Sequence, residues 1–103
     1  MLDVTVGVTL SAIRSFAHKG LEQFSFHGSK KGIQPKHARK LADILDRLDA
    51  AGAVKDMGYS GSNLHSLKGE LSDYWAVKVS RTWRVIFRFV DGDAFNIGYI
   101  DYH

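Results

Sequence analysis

The 103-residue chain has no cysteine, which excludes a disulfide scaffold, a thiolate metal site and a cysteine nucleophile together. Proline is scarce as well: the single one, Pro35, stands where the first turn of a helix tolerates it. No apolar run approaches the roughly 18 residues that a membrane span requires. Nor does the opening MLDVTVGVTLSA have the basic n-region of a secretory signal. The expected location is therefore the cytoplasm, with no membrane partner. What is present is ordinary for a folded domain, with 45% apolar and 24% charged residues in one domain's length. A chain this long buries roughly two-thirds of its unfolded surface and needs no staple to fold.

The formal charge is 14 − 11 = +3, too small to name a partner, but it is unevenly distributed. Residues 14–40 carry seven Lys/Arg against the single Glu22, and residues 41–73 carry three basics against six acids. The last thirty residues set Lys78, Arg81, Arg84 and Arg88 against Asp91, Asp93 and Asp101. The two basic stretches have two readings: one converged electropositive face for a polyanion, or the solvated faces of separate helices and strands.

Residues 1–12 lack a clear partner pattern and are expected to be an N-terminal extension, untranslated or disordered, before a domain spanning 13–103. That domain opens with the strand-like Ile13-Arg14-Ser15-Phe16. A short helix over Lys19 to His27, with Leu21 and Phe24 inward, is expected to end at Gly28. After a Gly/Ser/Lys loop, Ala38, Leu41, Ile44, Leu45 and Leu48 recur at helical spacing, with Gly52 as the expected stop. Residues 53–63 read as a connector with about one helical turn. Beyond Leu64 the pattern becomes strand-like: Trp75, Val77 and Val79 alternate with Tyr74, Ala76 and Lys78. Likewise Trp83, Val85, Phe87 and Phe89 alternate with Arg84, Ile86 and Arg88, and Asp91-Gly92 is a tight-turn signal. The last run is expected to put Phe95, Ile97 and Tyr99 on one side. The sum is an α+β domain: helices on one face of an antiparallel sheet, with Lys78, Arg84 and Arg88 on the other.

Several chemistries have no counterpart in this sequence. There is no phosphate-binding G-x-x-x-x-G-K-[ST] loop and no G-x-G-x-x-G after a strand. His18, His27, His37, His65 and His103 show no metal-ligand spacing and read as ordinary surface histidines; no metal or cofactor is expected. The carboxylates do not gather on one strand face, as a two-metal nuclease needs. What remains is Leu64-His65-Ser66-Leu67-Lys68-Gly69, the Lys78, Arg81 and Arg84 group, and the terminal Asp101-Tyr102-His103. A metal-free ribonuclease needs a base for the 2′-hydroxyl, an acid for the leaving 5′-oxygen, and cations for the phosphorane. In that scheme His65 or Asp101 is the base and His103 the acid. Lys68, Lys78, Arg81 and Arg84 hold the phosphate, and Tyr102 stacks on a base or donates to phosphate. Taken singly, each residue also has a plain structural reading: an exposed histidine, a hairpin-tip charge, a frayed terminus.

Ile13-Arg14-Ser15-Phe16, His18-Lys19-Gly20-Leu21, the Leu64-to-Gly69 segment, Tyr74-Trp75, Thr82-Trp83-Arg84, Asp91-Gly92-Asp93-Ala94 and Asp101-Tyr102-His103 together resemble the HigB toxins of the RelE-like superfamily. The resemblance covers residues 13–103 in order, and the pairing of L-H-x-L-K-G with a terminal D-Y-H is its most specific part. It implies a RelE-like fold, a short N-terminal strand and two helices on one face of a twisted antiparallel sheet. It also implies a toxin of a type II toxin–antitoxin system: a ribosome-dependent mRNA endoribonuclease acting in the 30S A site. Its partner would be a HigA-like helix-turn-helix antitoxin, with DNA contacted only through that partner. By position, His65, Lys68, Arg84, Asp101, Tyr102 and His103 match the family's active-site residues, with Lys78 and Arg81 as further phosphate-binding candidates.

Two positions depart from the family pattern. Ser66 stands where many relatives have proline, and Lys78 holds a place often taken by arginine, which keeps the charge without the bidentate fork. These departures motivate the alternative, a catalytically degenerate RelE-like module that binds antitoxin or RNA without cleavage. The sequence leaves the division of base and acid roles among His65, Asp101 and His103 open.

Overall fold

The computed structural model describes residues 12–102; His103 and all of the expected extension except Ala12 lie outside them. Helix α1 (Lys19–His27) starts at His18, whose Nδ1 accepts the Leu21 N–H at 2.9 Å, and stops at Gly28 in the left-handed region (φ 72°). Leu21 is its buried anchor. The helix opens against the following loop at a point where two backbones touch. A Cβ on Gly20 would lie 2.3 Å from the Gly32 carbonyl oxygen, so only glycine permits the approach.

Pro35 begins a 3-10 turn (Pro35–His37) that runs into α2 (Ala38–Ala50). Leu41, Ile44, Leu45 and Leu48 recur every three or four residues and are all buried, each worth on the order of 1.5–3 kcal/mol relative to exposure. The helix ends at Ala50, so that Gly52, the expected stop, falls directly after the cap. Ala51 is buried as the cap, and Gly52 follows it, its N–H donating to Asp56 Oδ2 at 2.8 Å. That carboxylate also accepts the Ala53 N–H and starts a 3-10 turn, Val54–Met57, that delivers Met57 fully into the core.

Four strands follow: β1 (His65–Ser66), β2 (Trp75–Lys78), β3 (Trp83–Val90) and β4 (Asp93–Asp101), paired antiparallel in chain order. Asp91 and Gly92, both with positive φ (50° and 86°), close the β3–β4 hairpin as a two-residue turn. Residues 12–17 run parallel along the free edge of β4 through bridges of Ile13 with Ala94 and Phe16 with Ile97. Val77, Val85, Phe87, Ala94, Ile97 and Tyr99 face the helices and share one core with Leu21, Leu41, Ile44 and Leu48. On the opposite face Leu67, Ala76 and Ile86 form a smaller cluster with Tyr74 and Ile100. Lys78, Arg84 and Arg88 stand on that open face, directly or by alternation. The basic residues of α1, α2 and their loop therefore lie across the sheet from the Lys78, Arg84 and Arg88 group, and the two stretches do not converge on one face.

One strand expectation fails. Phe95 does not share a side with Ile97 and Tyr99, because the register of β4 shifts between Ile86↔Gly98 and Arg88↔Phe95. The extra residue is Asn96, in the left-handed region at φ 52°, and this bulge reverses the alternation. Ala94, Ile97 and Tyr99 are thus all buried, while Phe95 comes up opposite Arg88 on the open face.

The histidines are not all at the surface either. His37 is only 4% exposed, with Nδ1 2.6 Å from the Tyr99 hydroxyl, which also accepts the Gln34 N–H at 3.3 Å. The His37 ring stands edge-on to Trp83, and Trp83 packs on Tyr99 with ring centroids 4.5 Å apart. His37 Nε2 is buried without a hydrogen-bond partner, so a second proton would sit there unsatisfied. Burial, and then the Lys36 charge, hold His37 below its ordinary value; burial outweighs a backbone hydrogen bond to do the same for His18. Burial pushes the Tyr99 hydroxyl up, against the lowering effect of the Gln34 N–H and with a smaller push from Asp101.

Two outcomes are expected from this packing. Because the folded-state histidines titrate below the unfolded value near 6.5, the unfolded chain takes up protons first as the pH falls. Stability is then complete above about pH 6.5 and declines below it. Urea midpoints at pH 7.5 and 5.5 are expected to differ in that direction, by less in His37→Gln; equal midpoints would contradict it. Separately, Gly20→Ala is expected to lower stability by about 1–3 kcal/mol, read as a lower melting temperature, since backbone must move to admit the methyl group.

Candidate active site

The open face of the sheet carries the candidate residues, and short, tightly bonded segments set their directions. His65 lies on β1, which pairs with β2 through His65↔Ala76 and Ser66↔Trp75. Its ring is fixed from behind: Nδ1 is 2.8 Å from the Asn63 carbonyl oxygen. A carbonyl only accepts, so Nδ1 carries the hydrogen and Nε2 is left as the proton-accepting nitrogen. Asn63 takes a left-handed φ of 51°, a conformation asparagine tolerates better than most residues. The Ser62 carbonyl before it accepts the Lys78 N–H at 2.8 Å and ties this loop to the end of β2.

Arg84 is fixed as firmly. Its Nη1 donates to the Ser80 carbonyl at 2.8 Å, with further contacts to Trp83 and Arg81 carbonyls at 3.0 and 3.3 Å. The β2–β3 hairpin tip thus holds the guanidinium in one direction through its own backbone. Lys78 is paired directly across from Arg84 and is exposed, as is Arg81 at the tip. Tyr102, beyond the end of β4, is tied back by its N–H to the Thr82 carbonyl. Its ring centroid lies 6.5 Å from that of His65 and 5.8 Å from the Arg84 guanidinium carbon.

His65, Ser66, Leu67, Lys68, Leu71 and Tyr102 line a cleft of about 290 Å³. The structure therefore brings His65, Lys68 and Tyr102 to one cleft, with Arg84 against Tyr102 and Lys78 beside Arg84. Asp101 takes a different position: it pairs with Trp83 at the helix-facing edge, where its charge acts on Tyr99. His103 follows Tyr102 outside the described residues. Two contributors are absent from the sequence reading. Asn63 orients His65 through a main-chain atom, which leaves no side-chain signal. Leu71, 39% exposed, is an isolated apolar residue in the polar stretch 69–73, and that isolation is the only trace of its role as a wall. Among the described residues, no three His, Asp or Glu side chains gather in a metal-holding group, and no helix is long and apolar enough to cross a membrane.

A mobile-free histidine, a clamped arginine and an exposed tyrosine around an open cleft suit a substrate with both anionic groups and flat rings. Comparison with known proteins identifies the family. The family model described as the RelE-like toxin of the type II toxin–antitoxin system HigB matches residues 14–103. The chain is 35% identical over 91 residues to the endoribonuclease HigB of Proteus vulgaris, covering 88% of this chain and 99% of that one. It is 34% identical over 90 residues to toxin HigB-1 of Vibrio cholerae, covering 85% and 94%. In fold it is similar to the YoeB dimer from Staphylococcus aureus, with a TM-score of 0.57 at 20% identity over 92% of this chain and 98% of that one. The same holds for YoeB in a YoeB–YefM complex from that organism, with a TM-score of 0.57 at 19% identity, covering 88% and 94%. With a family match over nearly its whole length and two relatives above 30% identity, the chain belongs to the HigB-like toxins, the RelE-like toxins of type II toxin–antitoxin systems.

Proposed function

We propose that this chain is a metal-independent endoribonuclease that enters the 30S A site and cleaves the mRNA being translated, thereby inhibiting translation. The observation that carries this reading is the meeting of His65, Lys68 and Tyr102 in one open cleft, with the clamped Arg84 against Tyr102. The name of the Proteus vulgaris relative, endoribonuclease HigB, supports the reaction class. In the proposed step a 2′-hydroxyl loses its proton and attacks the adjacent phosphorus. The bond to the 5′-oxygen breaks, and that oxygen takes a proton as it leaves. His65 presents Nε2 for the first transfer, and His103 supplies the second. His65 is preferred over Asp101 for the base, since Asp101 lies at the helix-facing edge, away from the cleft. Arg84, held by carbonyls that cost nothing to reorganise during the reaction, stabilises the extra phosphorane charge. Lys68, Lys78 and Arg81 add positive potential around it, and Tyr102 stacks on a neighbouring base or donates to phosphate.

Ribosome dependence fits a site with these few contacts. A strand already held in the A site has its geometry set, so the toxin needs chiefly to align the 2′-hydroxyl for in-line attack. The proposed partner is a HigA-like helix-turn-helix antitoxin in the cytoplasm, with DNA reached only through it. The family assignment and the YoeB–YefM complex of a protein of like fold support a protein partner.

The test is a translation reaction with a defined mRNA and programmed ribosomes, read by primer extension, with naked mRNA in parallel. Cleavage is expected only with ribosomes and is abolished by His103→Ala. Cleavage of naked RNA would remove the ribosome dependence, and no cleavage by folded, antitoxin-free protein would favour the degenerate binding module. Arg84→Ala is expected to slow cleavage by about 10²- to 10³-fold, the usual effect of losing one transition-state donor, while the protein remains folded by circular dichroism. The same variant is expected to relieve growth arrest on overexpression, and full toxicity would remove Arg84 from the site.

A further inference from the structure

The open face continues beyond the cleft, and the bulge at Asn96 has furnished its far end. Arg84, Ile86 and Arg88 alternate onto this face of β3. The middle row, Ala76↔Ile86↔Gly98, is low and apolar: Ala76 and Ile86 are buried, and Gly98 gives its place to the Ile86 side chain, whose Cγ1 would lie 3.0 Å from a Cβ there. The rows on either side are cationic. One is Lys78↔Arg84, and the other is Arg88, paired with Phe95. The register that pairs Trp75 with Phe87 brings Tyr74 alongside Arg88 as well, and Tyr74 packs on the open-face cluster. Arg88 thus shares its cross-strand row with two aromatic residues. Its Nε is buried with no hydrogen-bond partner, and among the described residues it makes no ion pair.

From these cations on one sheet face, we infer a second RNA subsite at Arg88: it binds a phosphate of the same single strand whose scissile phosphate lies at Arg84. Four residues along a strand separate the two arginines by roughly 13 Å. That span corresponds to about two to four nucleotides, since a stacked strand advances 3.4 Å per nucleotide and an extended one roughly twice that. Phe95 and Tyr74 flank the bound phosphate and offer ring surface to the adjoining base, the combination that single-strand binders use. The charge of the face selects the occupant: cations in line, with only apolar groups between them, suit a polyanion of regular repeat. The inference rests on the RNA-cleaving reading and extends it to the substrate's neighbouring nucleotides.

The experiment uses the antitoxin-free full chain and a 2′-O-methylated, hence uncleavable, twelve-nucleotide single-stranded RNA. Binding is followed by fluorescence anisotropy across a salt series. Arg88→Gln is expected to weaken binding about tenfold at low salt and to reduce the slope of log affinity against log salt by about 0.7, the value for one phosphate contact on a single strand. Arg88→Lys keeps the charge and is expected to retain the slope. An arginine that merely covers Tyr74 and Phe95 with its stem would change melting temperature without changing the slope. Unaltered affinity and slope in Arg88→Gln, with Arg84→Gln weakened, would overturn the subsite and leave the nuclease reading standing. No RNA binding by the wild-type protein at any salt would overturn both. The same titration with a poly-glutamate peptide covers an acidic protein occupant: a loss confined to the peptide would overturn the RNA assignment.

Discussion

The single extra residue in β4 governs which side chains the C-terminal end of the chain presents. A strand has a period of two, so a one-residue slip exchanges its faces. Asn96 supplies that slip, and it is held in place by Ser15: the Ser15 hydroxyl accepts the Asn96 N–H at 2.8 Å and donates to Asn96 Oδ1 at 3.1 Å. The Ile97 N–H, no longer needed by β3, pairs with the Ser15 carbonyl. Upstream of the bulge, Ala94 faces the helices; downstream, Ile97 and Tyr99 do. Ile100 is thereby put on the open face, and the chain leaves β4 in a direction that brings Tyr102 to His65 and Arg84. Without the bulge, Ala94 and Tyr99 would point to opposite sides, and one of them would be lost from the core.

Tyr99 carries that geometry from the sheet into the helical layer. Its hydroxyl joins the turn before α2, through Gln34 and His37, to the strand that ends at Asp101. Trp83 packs between His37 and Tyr99, and Arg84 is the next residue. The orientation of the candidate site therefore depends on buried aromatic packing on the far side of the same strands. Directly around the site the links are main-chain carbonyls: Asn63 for His65; Ser80, Arg81 and Trp83 for Arg84; Thr82 for Tyr102. A carbonyl anchor belongs to the fold itself, so these side chains hold their directions as long as the loops keep theirs.

Local features explain how much of this was legible in the sequence. The recurrence of Leu41, Ile44, Leu45 and Leu48 is enough for α2, and the alternation around Trp75 and Trp83 is enough for β2 and β3. Asp91-Gly92 announces its own turn. Each of these signals lies within a few residues. The placement of Phe95 is not legible in that way, because the bulge is completed by Ser15, 81 residues earlier. His37 reads as a surface histidine because its burial depends on Tyr99, 62 residues later. For the site, the residue types were visible, and their grouping came only through the family resemblance. His65 and Tyr102 meet only because β1 pairs with β2 and the tail bonds back to Thr82, while Asp101, next to Tyr102 in the chain, is carried to the helix-facing edge.

The charge pattern of the open face has its own energetic logic. Lys78 and Arg84 occupy directly opposed positions, a like-charge pairing that costs a sheet some stability, and Arg88 adds a third cation on the same side. Among the described residues the ion pairs Arg14 with Asp93 and Arg47 with Asp43 engage none of the three. Such a face is tolerated because β2 and β3 are anchored from behind by Val77, Val85 and Phe87, all fully buried. A ligand that binds only the folded chain returns the lost stability in proportion to its occupancy, and a polyanion does so while relieving the repulsion. Residues 41–73, with six acids against three basics, hold the net charge of the whole chain at +3. Lys78, Arg84 and Arg88 therefore act as a local group that orients a strand on the open face, separate from the basic residues of the helical layer and without the general charge excess that would hold any nucleic acid.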